Sequence, residues 1–173
     1  MEEYILIEPS YDYKDEYIDM IEEWKATGEK MTPFVLRFDY SDFDKFLYEI
    51  MNLKTSKNLG TNRANSSTYW LTNTNKRIIG AVNIRHQLTQ ELLHIGGHIG
   101  FGIRPSERLK GHATRILSLA LIKANELGIN KALVTCDKDN IGSAKTIINN
   151  GGSLDSEDEI NGVAIQRYWI KIK

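Results

Sequence analysis

Gly97-His-Ile-Gly-Phe-Gly-Ile-Arg-Pro-Ser-Glu-Arg-Leu-Lys-Gly-His-Ala113 joins a strand-like apolar run to a long helical one. From His112 to Leu127 apolar residues recur at helical spacing, and Gly128 stands just past the end, where a left-handed residue is wanted. The junction has the ingredients of an anion cradle. A helix start carries unpaired N–H groups and the positive end of the helix dipole. Gly111 lets the backbone approach a ligand closely, and small Ala113 and Thr114 keep the first turn open. Arg104, Arg108, Lys110 and Arg115 against Glu107 give the segment a local charge of about +3. Such a site suits a diphosphate. It is neither a Walker loop nor a dinucleotide fingerprint, since Gly-Lys-Ser/Thr is missing and only one glycine is present in Arg108-Leu-Lys-Gly-His-Ala113. A basic strand-to-helix turn with an ordinary glycine explains that hexamer equally well when it is taken alone.

Outward from this stretch the chain reads as alternating elements. Tyr4–Ile7 is a short strand closed by Pro9. Tyr13, Tyr17, Met20, Ile21 and Trp24 mark a helix from Asp12 to about Ala26, and a second helix starts near Ser41 as its cap, with Phe43, Phe46, Leu47 and Ile50 as its stripe. Lys54 to Ser67 is polar and reads as a mobile loop. Ser67–Leu71 and Arg77–Arg85, joined through Asn73-Thr-Asn-Lys76, form a hairpin signature. A third strand is predicted from about Leu92 to Ile103 after a turn near Thr89-Gln-Glu91. Lys131–Cys136 is a buried strand, Asn140 opens a helix ended by Gly151-Gly152, and Val163–Ile172 is a last strand. The strand, helix and strand over 92–103, 112–127 and 131–136 have the length of a right-handed crossover unit, so the sheet is mixed.

The bulk properties narrow the class. A chain of 173 residues with 41% hydrophobic and 26% charged residues is expected to be one globular domain spanning 1–173. A net charge of −1 gives no reason to expect nucleic acid or an anionic membrane as partner. The lone Cys136 excludes an intramolecular disulfide and points to a reducing compartment. The acidic start Met1-Glu2-Glu3-Tyr4 is unlike a signal peptide, so a cytoplasmic location is expected. Monomer and homodimer both remain open.

The quoted run, with Arg108-Leu-Lys-Gly-His-Ala113 at its end, resembles the strand and loop of the GNAT N-acetyltransferases, whose pattern is Arg/Gln-x-x-Gly-x-Gly/Ala. Asp139-Asn-Ile-Gly-Ser-Ala144, closing in Asn149-Asn-Gly-Gly152, resembles that family's next block. The resemblance is strongest over residues 68–154. It implies an α/β (α+β) fold: a mixed, mostly antiparallel central sheet with a splayed parallel strand pair, flanked by helices. It also implies acetyl-CoA as co-substrate. By the same resemblance, the amides of Arg108, Leu109, Lys110, Gly111, His112, Ala113 and Thr114 would hold the pyrophosphate. Gly102 and Ile103 would pair with the pantetheine, and Asn140 and Ser143 would flank the sulfur arm.

Acetyl transfer to an amine needs a base for the amine's proton and a donor for the developing oxyanion. An unpaired N–H near Phe101 to Ile103 can be that donor. Many family members place an acidic tyrosine seven residues after the helix-opening Asn; here that position is Ile147. Ser143 is then the candidate hydrogen-bond donor to the leaving thiolate, with helix capping as the alternative account of Asn140 and Ser143. His98 is the candidate base, set against an ordinary sheet histidine. His94 and His98, on one strand, would stand about 13 Å apart, too far to share a metal, and no metal is expected. Cys136 reads as a plain buried cysteine or, less readily, as a nucleophile. Residues 1–30 hold ten carboxylates against three lysines. They read as either a solvated face or a wall attracting a cationic acceptor such as a polyamine, an aminoglycoside or a lysine-bearing peptide. The function expected is acetyl transfer to a primary amine, on a small molecule or a peptide, by direct attack in a ternary complex. A different acyl group or an alcohol acceptor, a non-catalytic acyl-CoA sensor, and a nucleotide-phosphate binder are the alternatives.

Overall fold

Strand β3 (Ile78–Arg85) is buried on both faces over all but its last residue, which is why Ile-Ile-Gly-Ala-Val-Asn-Ile reads as an apolar run without alternation. The computed structural model describes residues 2–57, 59–60 and 62–173. In it β3 pairs antiparallel with β2 (Ser66–Asn73) and with β4 (Ile99–Ile103), and β1 (Tyr4–Ile7) adds to the outer edge of β2. Asn73 closes the β2–β3 hairpin by accepting the N–H groups of Asn75 and Arg77 on its side-chain oxygen.

Helices cover both faces of this sheet. On one, α4 (His112–Glu126) packs Ile116, Leu117, Ala120 and Leu121 against Val82 and Ile84. On the other, α1 (Lys14–Lys25) and α2 (Phe43–Asn52) bring Tyr17, Met20, Ile21 and Phe46 onto Trp70 and Ala81, and the Tyr17 and Trp70 rings stack at 4.8 Å. Helix α2 is capped by Asp42, which accepts from the Lys45 N–H, where Ser41 was expected. Asp42 has the extended backbone that aims its carboxylate at the first turn. The polar stretch Lys54–Ser67 includes Asn58 and Thr61, which lie outside the described residues. Near its end Asn65 donates to the carbonyls of Leu53 and Ser56. None of the described helices is long and apolar enough to cross a membrane.

A second sheet has the order β5 (Lys131–Asp137), β7 (Val163–Lys171), β6 (Gly152–Ile160), again antiparallel throughout. Strand β6 was not expected. Gly-Ser-Leu-Asp-Ser-Glu-Asp-Glu-Ile lacks apolar alternation because both its faces are largely in solvent, and its acids blunt an open sheet edge. The expected strand from Leu92 to Ile103 is also shorter. Thr89 caps a brief helix α3 (Gln90–His94), Gly96 and Gly97 turn the chain at positive φ, and the strand begins only at Ile99. His94 and His98 therefore do not share a strand.

The parallel pair is β4 and β5, linked by α4 and splayed. They touch where the His98 N–H donates to the Leu133 carbonyl at 2.7 Å and the Leu133 N–H donates to His98 Nδ1 at 2.9 Å. Beyond that point no ladder joins them, and the two sheets diverge. The imidazole supplies an acceptor that a regular ladder would take from backbone. Because Nδ1 accepts, the proton of the neutral ring sits on Nε2. Burial, with the nearby Arg85 charge, pushes the His98 pKa down to about 4.

That depression makes a sign-definite prediction. The folded ring stays neutral while the unfolded one protonates near pH 6.5, so its contribution is complete above pH 6.5 and is lost as pH falls towards 4. The slope is up to about 1.4 kcal/mol per pH unit. His98→Gln keeps an acceptor and cannot titrate. Urea unfolding at several pH values should give the wild type a steeper loss than the variant over this window; parallel profiles would refute the assignment.

Candidate active site

The divergence of β4 and β5 opens a cleft of about 550 Å³. Its wall includes Gly102, Ile103, Arg108, Leu109, Gly111 and Ala113, and also Thr114, Asn140 and Ser143. Gly111 caps α4 with φ +82° and no side chain caps the helix; the first bond runs from the Arg115 N–H to the Gly111 carbonyl. The N–H groups of His112, Ala113 and Thr114 thus have no partner among the described residues. Leu109 also has positive φ, with its side chain fully in solvent. Two left-handed residues thus flank Lys110, and such conformations are where anion nests form. The side chains of Lys110 and His112 are not on the cleft wall. Lys110 pairs with Glu107 at 2.9 Å, and His112 is buried beside the Tyr4 ring with centroids 4.8 Å apart.

The charge reading of this loop needs correction. Arg104 is not part of the cradle: it is 2% exposed and ion-paired with Glu16, Asp19 and Glu23 of α1. Arg108 pairs with Glu29 and donates Nε–H to the Ile103 carbonyl at 3.1 Å, and its guanidinium lies 5.4 Å from the Trp24 ring centroid. The loop therefore does not present a net +3 to the cleft, because two of its four cations are paired with carboxylates of residues 16–29.

Strand alternation decides which backbone groups of β4 are free. The Arg104 N–H donates to Ile79 on the β3 side, and Ala81 is opposite Gly102. Even-numbered residues therefore bond towards β3, and Phe101 and Ile103 turn their N–H and carbonyl groups to the open edge. Ile103 thus has its N–H to share with an extended ligand, its carbonyl being taken by Arg108 Nε–H, and Gly102 has neither group on that edge. Gly102 supplies room instead: a Cβ there would stand 2.6 Å from the Trp24 ring and closer still to the Thr32 carbonyl.

A second cavity of about 600 Å³ meets the first at Lys30, Thr32, Phe101, Asn140 and Ser143. Asn140 caps α5 (Ile141–Asn149) by accepting the Ser143 N–H at 3.0 Å; the Ser143 hydroxyl has no partner among the described residues. Ile147 is buried in the core and on neither wall. Cys136 lines the second cavity, but burial and the Asp137 charge raise its pKa to about 11, so it remains a thiol. His98 is on neither wall. With Nδ1 committed to Leu133 and its basicity suppressed, it cannot act as the base, because its free lone pair is already used by the fold. The carboxylates on the second wall are Asp137 and Glu91, and its cations are Lys30, Arg37 and Arg85. The sequence reading missed these five residues: they come from two strand ends, two short helices and an aperiodic segment, and only the tertiary fold collects them. Of the first thirty residues only Lys30 reaches this wall. Six of the N-terminal acids, Glu8, Glu16, Asp19, Glu22, Glu23 and Glu29, are ion-paired elsewhere, with Lys54, Arg104, Lys25 and Arg108 among their partners.

A family model for an acetyltransferase (GNAT) domain matches residues 9–153. The chain belongs to that family. Among solved structures, a microcin self-immunity acetyltransferase, MccE, in complex with acetyl-CoA and AMP aligns over 98% of this chain and 93% of its own, with TM-score 0.68 and 19% identity. RimL, a ribosomal-protein α-N-acetyltransferase in complex with coenzyme A, covers 98% and 94%, with TM-score 0.70 and 15% identity. A mutant form of the spermidine N-acetyltransferase SpeG from Vibrio cholerae covers 98% and 94%, with TM-score 0.62 and 16% identity. No curated protein matches in sequence. As a GNAT domain the chain is an acetyl-CoA-dependent N-acetyltransferase, with acetyl-CoA as co-substrate.

Gly111→Val forces a β-branched residue into left-handed backbone at the amide cradle. Calorimetric titration with coenzyme A should show affinity weakened about tenfold or more, with far-ultraviolet circular dichroism retained. Unchanged affinity would remove the cradle from the site.

Proposed function

We propose that the chain moves the acetyl group of acetyl-CoA directly to a primary amine in a ternary complex. The thioester lies at the junction of the two cavities, and the amine enters from the α3 side. The meeting of two cavities at Phe101, Asn140 and Ser143 carries this reading: one is shaped for the CoA arm, and the other leaves space on the opposite side of the acyl carbon. A non-catalytic sensor has no use for the second space.

In this reading the main-chain N–H groups from Leu109 to Thr114 grip the diphosphate. Pantetheine runs along the open edge of β4 and accepts a hydrogen bond from the Ile103 N–H. The neutral amine attacks the acyl carbon, and the Phe101 N–H meets the oxygen as it gains charge. A C–N bond forms, the C–S bond breaks, and the sulfur takes its electron pair with a hydrogen bond from the Ser143 hydroxyl. The amine's proton passes through water to a carboxylate of the acceptor cavity. Asp137 and Glu91 occupy that wall in the place the sequence assigned to His98. A coenzyme A thiolate has an ordinary thiol pKa, near 8.5, so a serine hydrogen bond and solvent suffice where the acidic tyrosine is replaced by Ile147.

Thiol release from acetyl-CoA in the presence of an amine panel tests the reading. Amine-dependent release is expected, and Ser143→Ala should lower kcat about tenfold while leaving the acetyl-CoA Kd within about twofold. Replacing the operative carboxylate, by Asp137→Asn or Glu91→Gln, should lower kcat/KM by about 100-fold. Tight acetyl-CoA binding with no amine-dependent release would establish the sensor alternative.

A further inference from the structure

The acceptor cavity has the opposite polarity to that suggested by the acidic N-terminus. Arg85, Arg37 and Lys30 line it against Glu91 and Asp137. Arg85 is the informative member. Its Nη1 donates to the carbonyls of Gly96 at 3.0 Å and Gly97 at 3.2 Å, and its guanidinium carbon lies 5.5 Å from the Phe34 ring centroid. These contacts fix the group without neutralising it, since no carboxylate pairs with it among the described residues. The contrast with Arg104, which has three carboxylates, is sharp. Burial lowers the Arg85 pKa, with no anion to offset the effect. Arg37 is exposed and donates Nη1 to the Met31 carbonyl at 2.8 Å, and among the described residues it also lacks a carboxylate.

The position of Arg85 relative to the reaction centre is set by β4. A Cβ built on Gly100 would be 3.9 Å from Arg85 Nη1, so the guanidinium faces the residue immediately before Phe101. A desolvated, immobilised and unpaired guanidinium gains most from a planar or tetrahedral oxyanion, which satisfies its forked donors and restores charge balance. The ligand that enters this cavity in the acetyl-transfer reading is the acceptor.

We infer that the acceptor is an amine that also carries an anionic group, a carboxylate or a phosphate, seated on Arg85 and Arg37 while its amine reaches towards Phe101. Glu91 and Asp137 face the ammonium end before deprotonation, so the cavity complements a zwitterion rather than a polycation. The inference rests on the acetyl-transfer reading above and adds the class of acceptor to it.

The experiment measures kcat and KM for matched amines: β-alanine and glycylglycine against their amides, phosphoethanolamine against ethanolamine, and spermidine. The anionic members should exceed their uncharged counterparts by about tenfold or more in kcat/KM. The carboxylate and phosphate arms identify which anion is preferred. Arg37→Gln, on an exposed side chain, and Arg85→Gln, which keeps an amide donor for the Gly96 and Gly97 carbonyls, should collapse that preference towards unity through KM. Calorimetry should show acetyl-CoA affinity retained in both. Amides or spermidine used as well as the acids, or a preference that survives both substitutions, would overturn the inference and leave acetyl transfer standing. Absence of thiol release with every amine would reject both.

Discussion

Two hydrogen bonds between His98 and Leu133 hold the architecture at its critical point. They join β4 to β5 at one end only. A backbone amide and an imidazole nitrogen provide the join, so it ends where the imidazole ends and the strands part. The resulting wedge is bordered by the open main-chain edge of β4 on one side and the start of α5 on the other. The same interaction explains why the histidine that looks best placed for proton transfer is not available for it. A ring nitrogen that accepts a structural hydrogen bond in a buried setting is held neutral and cannot also collect a substrate proton.

Charge in this chain is allocated by burial rather than by sequence neighbourhood. Arg104 follows β4 directly and reads as part of a basic loop, yet it turns inward and takes three carboxylates from α1. That network fastens α1 to the end of β4, and Trp24 of the same helix lies within 5.4 Å of the Arg108 guanidinium carbon at the cleft. The apparent acidic wall and the apparent basic loop largely cancel each other inside the protein. On the wall of the second cavity, by contrast, Arg85, Arg37 and Lys30 have no carboxylate partner among the described residues, and the neighbours of Arg85 are carbonyls and an aromatic ring.

The two glycines that matter most act differently. Gly111 is needed for its backbone, which must be left-handed to start α4 with three amides unpaired. Gly102 is needed for its missing side chain, because the Thr32 carbonyl and the Trp24 ring occupy the space a Cβ would take. The sequence reading expected the first to admit a ligand to the backbone; its left-handed φ is what the fold adds. The second depends on a segment seventy residues away, which no local pattern reports.

Local rules were sufficient for the elements whose patterns are strong. The β2–β3 hairpin, the amphipathic stripe of α4 and the Asn140 cap follow from periodicity and turn chemistry, and the family likeness of residues 97–113 agrees with the acetyltransferase domain that the family model matches. Strand β6 escaped because an exposed edge strand has no buried face to impose alternation. The break before Ile99 escaped because two glycines in an apolar run are compatible with either a bulge or a turn. The sequence by itself determined the helices and strands with strong periodicity and the glycine position at the start of α4. Tertiary structure decided which charges survive to face a ligand and which residues share the acceptor wall. Pairing, burial and strand divergence are relations between distant segments, and their free energies are set only when the chain is packed.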